Sequence, residues 1–289
     1  MNDLLRAILK DKIESCLVYK DRSIVFEYYR NRKMKDKQHK VYSVTKSILS
    51  ALYGIAIQKG YIENENVPIA EFFEDIDDSK GTITIKHLLM MSSGLRWPGN
   101  EAMIPAKNWV RFTLEQPVEC EPGKVMKYSC GSSHLLSAVL QHATRMDTVT
   151  FAKKYLFTPL AIQDINWHHD AQGVAIGGFS LTMKSVDMLK FGLLYLNKGE
   201  WNAKALIPTD WIHQSTAIKM KTSDGSSYGY HWWILNDDND EAGKTYFARG
   251  MGGQYIIVND AQRIVTVFTS NMQGNGTSPM EYFQKYILD

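Results

Sequence analysis

The stretch Tyr42-Ser43-Val44-Thr45-Lys46-Ser47, running straight into Ile48-Leu49-Ser50-Ala51-Leu52-Tyr53-Gly54-Ile55-Ala56, constrains this chain more than any other. It reads as a short loop feeding the most apolar helix of the sequence. A helix that is apolar on all sides must be covered by other elements. Residues three apart share a helix face, so Ser43 and Lys46 point the same way at the first turn. The plain reading is an N-cap serine followed by an exposed lysine. The reading with chemistry in it is a serine nucleophile with an amine beside it. A hydroxyl needs such a base. A lysine serves only if its pKa falls from about 10.4 toward 7, which burial and nearby positive charge would bring about. This is the only Ser-x-x-Lys in the chain.

The chain has 289 residues and a formal net charge of +2, from 33 basic and 31 acidic side chains. That balance gives no reason to expect nucleic acid or an anionic membrane as partner. The basic run at 30–40 (RNRKMKDKQHK) reads as a solvated loop. Cys16, Cys120 and Cys130 are odd in number and lack metal-ligand spacing, so no disulfide framework, metal or cofactor is expected. The charged N-terminus MNDLLRAILKDK lacks the uninterrupted apolar core and small-residue cleavage site expected of a signal peptide, and no apolar run is long enough to span a bilayer. A cytoplasmic protein is the expectation; the oligomeric state is open.

Along the chain, 2–12 reads as a helix, and 16–19 and 24–29 as strands joined by Lys20-Asp21-Arg22. The Ser43 helix stops near Gly60. Thr84 is the expected cap of a helix ended by Ser92-Ser93-Gly94. Further helices are expected over 105–116, 132–144, 148–156, 184–196 and 210–215. The character then changes: 228–235, 246–249, 254–258 and 264–269 read as strands separated by turns, the first at 236–243, before a closing helix at 279–288. Strands at both ends with helices between imply an α+β fold, its antiparallel sheet built from both chain ends. The expected organisation is one domain over 1–289, with an α/β lobe of 1–42 and 180–289 and a helical lobe of 43–179.

Three further places could carry chemistry. Tyr128-Ser129-Cys130 sits in a loop before a helix, where a phenol could share protons with a lysine or simply pack. Ala248-Arg249-Gly250-Met251-Gly252-Gly253 leaves a strand and could lend a backbone N–H to an oxyanion, or be a plain hairpin turn. Trp97-Pro98-Gly99 could form the rim of a pocket. His168-His169-Asp170 lacks a third ligand, and His231 and His87 read as packed residues. A serine-histidine-acid triad finds no Gly-x-Ser-x-Gly elbow.

Taken in order, YSVTKSILSALYGIAIQKGYI, TIKHLLMMSSGL, EPGKVMKYSCGSSHLLSAVL, FTPLAIQDINW, GGFSLTMKSVDMLKFGLLYLNKGEW and YGYHWWI resemble the serine β-lactamase and penicillin-binding-protein superfamily. The nearest branch holds class C β-lactamases, D-alanyl-D-alanine carboxypeptidases, family VIII esterases and 6-aminohexanoate-dimer hydrolases. The resemblance implies Ser43 as acylated nucleophile, Lys46 as proton relay, and Tyr128 as general base and later proton donor. It implies an oxyanion hole from the N–H groups of Ser43 and Met251, and substrate binding at Cys130, Arg249 and Gly250. Two positions depart from the pattern. Cys130 replaces the asparagine of Tyr-x-Asn, and Ala248-Arg249-Gly250 replaces the cation-first Lys/His-Thr/Ser-Gly, with alternation tending to aim Arg249 elsewhere. Both point away from an efficient β-lactamase and toward a hydrolase of a small ester or amide. An acyltransferase of the same fold and a non-catalytic binding or regulatory protein are the alternatives.

Overall fold

The chain's longest strands assemble into one antiparallel sheet, seen in a computed structural model that describes residues 1–288 apart from 75, 223–224, 236–242 and 275. The strands are β1 (Ile13–Lys20), β2 (Ser23–Tyr29), β3 (His39–Lys40), β4 (Thr182–Met183), β5 (Glu200–Trp201), β6 (Lys204–Ala205), β7 (Met220–Lys221), β8 (Ser227–Tyr228), β9 (Trp233–Leu235), β10 (Thr245–Gly250), β11 (Gln254–Asn259) and β12 (Ile264–Ser270). Eight of them form the main sheet in the order β2-β1-β12-β11-β10-β9-β8-β7. The first hairpin closes through Asp21 and Arg22, both with positive φ (51° and 64°), as a two-residue turn between right-twisted strands requires. The last strands pair back onto the first, because β12 lies beside β1 with Val267 opposite Leu17.

The helices are α1 (Asn2–Leu9), α2 (Val44–Gln58), α3 (Ile85–Leu89), α4 (Asn100–Met103), α5 (Trp109–Leu114), α6 (Cys130–Thr144), α7 (Thr148–Ala152), α8 (Ser185–Leu196), α9 (Thr209–Ser215) and α10 (Ser278–Tyr286). Strand alternation divides the packing between two faces of the sheet. Leu17, Val267, Ile256 and Ala248 stand opposite one another across four strands and join the core that contains α2, α6 and α8. Their neighbours Cys16, Phe268 and Tyr255 face the other way, toward Leu4 and Ile8 of α1 and Phe283 of α10. Helix α8 lies close over the sheet because Gly192 has no side chain; a Cβ there would sit 2.5 Å from Val265 Cγ1.

Several local expectations change. The aromatic run 228–235 is two short strands, not one: Tyr228 pairs with Trp233, and the chain reverses between them at His231, whose φ is 61°. Tyr230 and Trp232 then turn into the main core. A continuous aromatic run carries no alternation, so the reversal leaves no periodic mark. The helix expected at 105–116 is the shorter α5, which Asn108 caps through a 2.8 Å bond from Arg111 N–H, and α4 at Asn100–Met103 lies before that range. Beyond α7 the helix widens into a π turn at Lys153–Phe157. The turn expected at 236–243 lies, apart from Gly243, outside the described residues.

Thr84 caps α3 as expected, in a reciprocal box: its hydroxyl accepts from His87 N–H, and His87 Nδ1 accepts from Thr84 N–H at 3.2 Å. His87 is therefore a capping residue, beyond its expected packing role. Removing the hydroxyl with Thr84→Ala should cost about 1 kcal/mol and lower the melting temperature by about 2–4 °C, with Thr84→Ser largely restoring it. An unchanged melting curve for Thr84→Ala would show that α3 does not depend on the cap.

Candidate active site

The chain enters α2 through a turn in which Val44 N–H donates to Val41 O and Tyr42 takes a positive φ of 47°. Ser43 occupies the N-cap position, yet with φ −70° and ψ −4° it already has helical backbone, and its hydroxyl makes no capping bond. The plain N-cap reading therefore fails, and the hydroxyl is left to Lys46, whose Nζ donates to Ser43 Oγ at 3.1 Å.

Lys46 is 1% exposed. Its Nζ also donates to Gly178 O at 2.6 Å and to Cys130 Sγ at 3.4 Å, and it lies 4.8 Å from the centre of the Tyr128 ring. Three acceptors match the three N–H bonds of an ammonium. Burial works against that charge, but the acidic groups of Cys130 and Tyr128 beside it outweigh burial, and the Lys46 pKa is raised. The expected downward shift is thus reversed: the cavity places acids at the amine.

Tyr128 and Cys130 arrive together because Ser129, between them, caps α6 by accepting from Ser132 N–H at 3.0 Å. The preceding loop is pinned by Lys127 N–H on Met91 O at 2.7 Å. From the opposite side comes the 177–178 segment. A Cβ on Gly178 would lie 2.9 Å from Cys130 Cβ, and one on Gly177 would overlap the Ser133 carbonyl. Two glycines are needed for this backbone to reach Lys46.

β10 completes the site. A Cβ on Gly250 would overlap the Val41 carbonyl, so glycine lets the strand end close against the turn before Ser43. Neither Ser43 N–H nor Met251 N–H has a protein acceptor among the described residues. Arg249 stands opposite Tyr255, on the face away from Ala248, as alternation requires. Its guanidinium nonetheless stays at the site, 4.9 Å above the Trp233 ring. Trp233 stacks on Tyr128 at 5.9 Å, so two cations bracket two aromatic rings. Such contacts contribute about 0.5–2 kcal/mol each.

Ser43, Tyr128, Cys130, Arg249, Gly250 and Met251 line one cavity of about 440 Å³, with Lys46 beneath it. Trp97 lies on its wall, as a rim residue would, and Trp233 and Asn100 also line it. Asn100 carries no sequence signal beyond the glycine before it; its buried Oδ1 has no partner among the described residues. His231 is buried behind the site, with Nε2 3.2 Å from Ser133 Oγ and Nδ1 unpartnered among the described residues, so its packing is satisfied on one side only. Burial and the Lys46 charge press its pKa well down. His168, His169 and Asp170 diverge to Asn166, Asp147 and His134 respectively. No group of three or more His, Cys, Asp or Glu side chains fit to hold a metal occurs among the described residues. Nor is any described helix long and apolar enough to cross a membrane.

The β-lactamase family profile matches residues 6–285, and the chain belongs to the β-lactamase family. Solved structures share the fold. One, described as a 6-aminohexanoate-dimer hydrolase from Bacillus anthracis, has a TM-score of 0.85 at 17% identity, over 97% of this chain and 79% of the other. An octameric penicillin-binding protein homologue from Pyrococcus abyssi has a TM-score of 0.80 at 18% identity, over 98% and 76%. EstCE1, described as a hydrolase with promiscuous acyltransferase activity, has a TM-score of 0.78 at 15% identity, over 98% and 96%.

Proposed function

We propose that the protein is a serine hydrolase that forms an acyl-enzyme at Ser43 from a small ester or amide. One observation carries this reading: the Ser43 hydroxyl, spared from capping, accepts a 3.1 Å hydrogen bond from a buried lysine at the floor of a cavity. In this reading Ser43 Oγ attacks the carbonyl carbon. Its proton passes by way of Lys46 to Tyr128, which later protonates the leaving group. The free N–H groups of Ser43 and Met251 receive the oxyanion. Family membership and the descriptions of the two hydrolase neighbours support the same class.

The cavity wall shapes the substrate preference. Trp97 and Trp233 offer apolar faces, Arg249 a cation, and Asn100 a carboxamide. Cys130 spends its sulfur on Lys46 and brings no amide, so Asn100 is the carboxamide available to a polar acyl group. A small ester or amide carrying a carboxylate fits this wall. The separation of the helical and α/β lobes at 43 and 180 belongs to the same proposal, with the site between them.

A fluorophosphonate should add covalently to Ser43, read by intact mass, and Ser43→Ala should lose the adduct and about 10⁴-fold of ester turnover. Folded protein that takes no adduct would refute the nucleophile. A proton acceptor works only after losing its own proton, and the raised pKa of Lys46 keeps it protonated at neutral pH. For a neutral ester, kcat/KM should therefore rise with pH and still be climbing above about pH 9; a plateau near neutrality would place the base elsewhere. Arg249→Ala should weaken carboxylate-bearing esters by about tenfold or more, the scale of a charged hydrogen bond, and spare neutral ones. Equal losses for both would show that Arg249 does not read substrate charge.

A further inference from the structure

Cys130, on the wall of the cavity, and Lys46, beneath it, bring a thiol and an amine into contact. The sulfur lies 3.4 Å from Lys46 Nζ, and Cys130 lines the cavity while remaining 8% exposed. Both are held on the same backbone. Gly178 O fixes the amine at 2.6 Å, and the Gly178 main chain backs Cys130 so closely that a Cβ there would lie 3.2 Å from Sγ. The sulfur has little room to retreat from the amine. The charged and titratable groups around it are Lys46 on α2, Tyr128 before α6, Tyr228 on β8, Arg249 on β10 and, behind Lys46, His231. Neither of the other cysteines is so placed: Cys16 is fully buried in the core beneath the sheet, and Cys120 is half-buried on a loop.

We propose that Cys130 is an oxidative modification site, at which a hydroperoxide joins Cys130 to Lys46 through a reversible sulfur–nitrogen bond. In the first step the thiol takes one oxygen: an S–O bond forms, the O–O bond breaks, and with hydrogen peroxide water leaves. The sulfur is oxidised to sulfenic acid and the peroxide is reduced. In the second step the Lys46 ammonium first gives one proton to solvent hydroxide; the neutral amine then bonds to sulfur as the S–O bond breaks, and the departing oxygen takes a nitrogen proton and leaves as a second water. The cross-linked pair has two hydrogens fewer than the free thiol and amine. A dithiol reductant returns both by attack on sulfur, becoming a disulfide itself. The cross-link consumes the amine that contacts Ser43, so it switches the site off; that consequence rests on the role proposed for Lys46, while the bond itself does not.

The test uses the 289-residue chain carrying Cys120→Ser, treated with a small excess of hydrogen peroxide at about pH 10, where the Lys46 amine can lose its proton. Tandem mass spectrometry of the digest should find the Lys46 and Cys130 peptides joined, lighter by two hydrogens than their sum, and separated again by dithiothreitol. In parallel, dimedone should trap sulfenic acid on Cys130 in a Lys46→Met variant and far less in the parent. Sulfinic acid or dimedone adducts on Cys130 of the parent, with Lys46 unmodified, would overturn the proposal. So would unreacted Cys130 after the same treatment. Fluorophosphonate labelling of Ser43 should fall with cross-linking and return on reduction. A cross-link formed without that fall would uphold the bond and overturn the role of Lys46 at Ser43.

Discussion

A buried ammonium is the constraint on which this site depends. Taking a lysine charge out of water is costly unless every N–H finds an acceptor. Lys46 meets that condition with acceptors from three separate parts of the chain: Ser43 at the start of its own helix, Cys130 at the start of α6, and Gly178 in the loop before β4. Each contact satisfies a donor and also draws a separate element toward one point. Breaking any of them would leave a buried N–H unpaired, so the requirement to satisfy Lys46 holds the geometry around Ser43.

The surrounding backbone is arranged to make that convergence possible. Glycine stands where chains approach within a side chain's width: Gly178 against Cys130, Gly177 against Ser133, Gly250 against Val41. On the open side, Tyr128 is held by stacking on Trp233, itself covered by Arg249. The pattern is a floor of hydrogen-bonded backbone and a wall of stacked rings. A rigid floor suits a nucleophile that must be aimed, and an aromatic wall suits a ligand held by shape and charge.

Much of the fold was legible because it rests on local or periodic signals. The hairpin at Asp21-Arg22, the Thr84 cap and the alternation that divides Cys16 from Leu17 follow from turn chemistry, capping and the two-residue strand repeat. Places without such a signal differ from the sequence expectation. The run 228–235 reads as one strand because its eight residues, half of them Tyr or Trp, give no period, and the late start of α5 is set by one side chain, the Asn108 cap. At the site, the resemblance named the residues that line the cavity, including the two departures at Cys130 and Arg249. It could not name Asn100 or Trp233, which reach the cavity only through the folding of the 97–100 loop and the reversal at His231.

Residue type and spacing along the chain set which side chains can carry chemistry and how the nearest ones relate. The three-residue spacing of Ser43 and Lys46 places them on one helix face whatever else folds around them, and the alternation along β10 puts Arg249 opposite in sense to Ala248. The electrostatics arise from the folded arrangement. Whether the lysine is pushed toward a neutral base or held as an ammonium depends on what is packed against it, and residues 84 and 132 positions away in sequence supplied a thiol and a carbonyl. Burial alone lowers a lysine pKa, whereas burial among acceptors and acids raises it. That difference in sign comes from distances between side chains, which no local pattern in the sequence encodes.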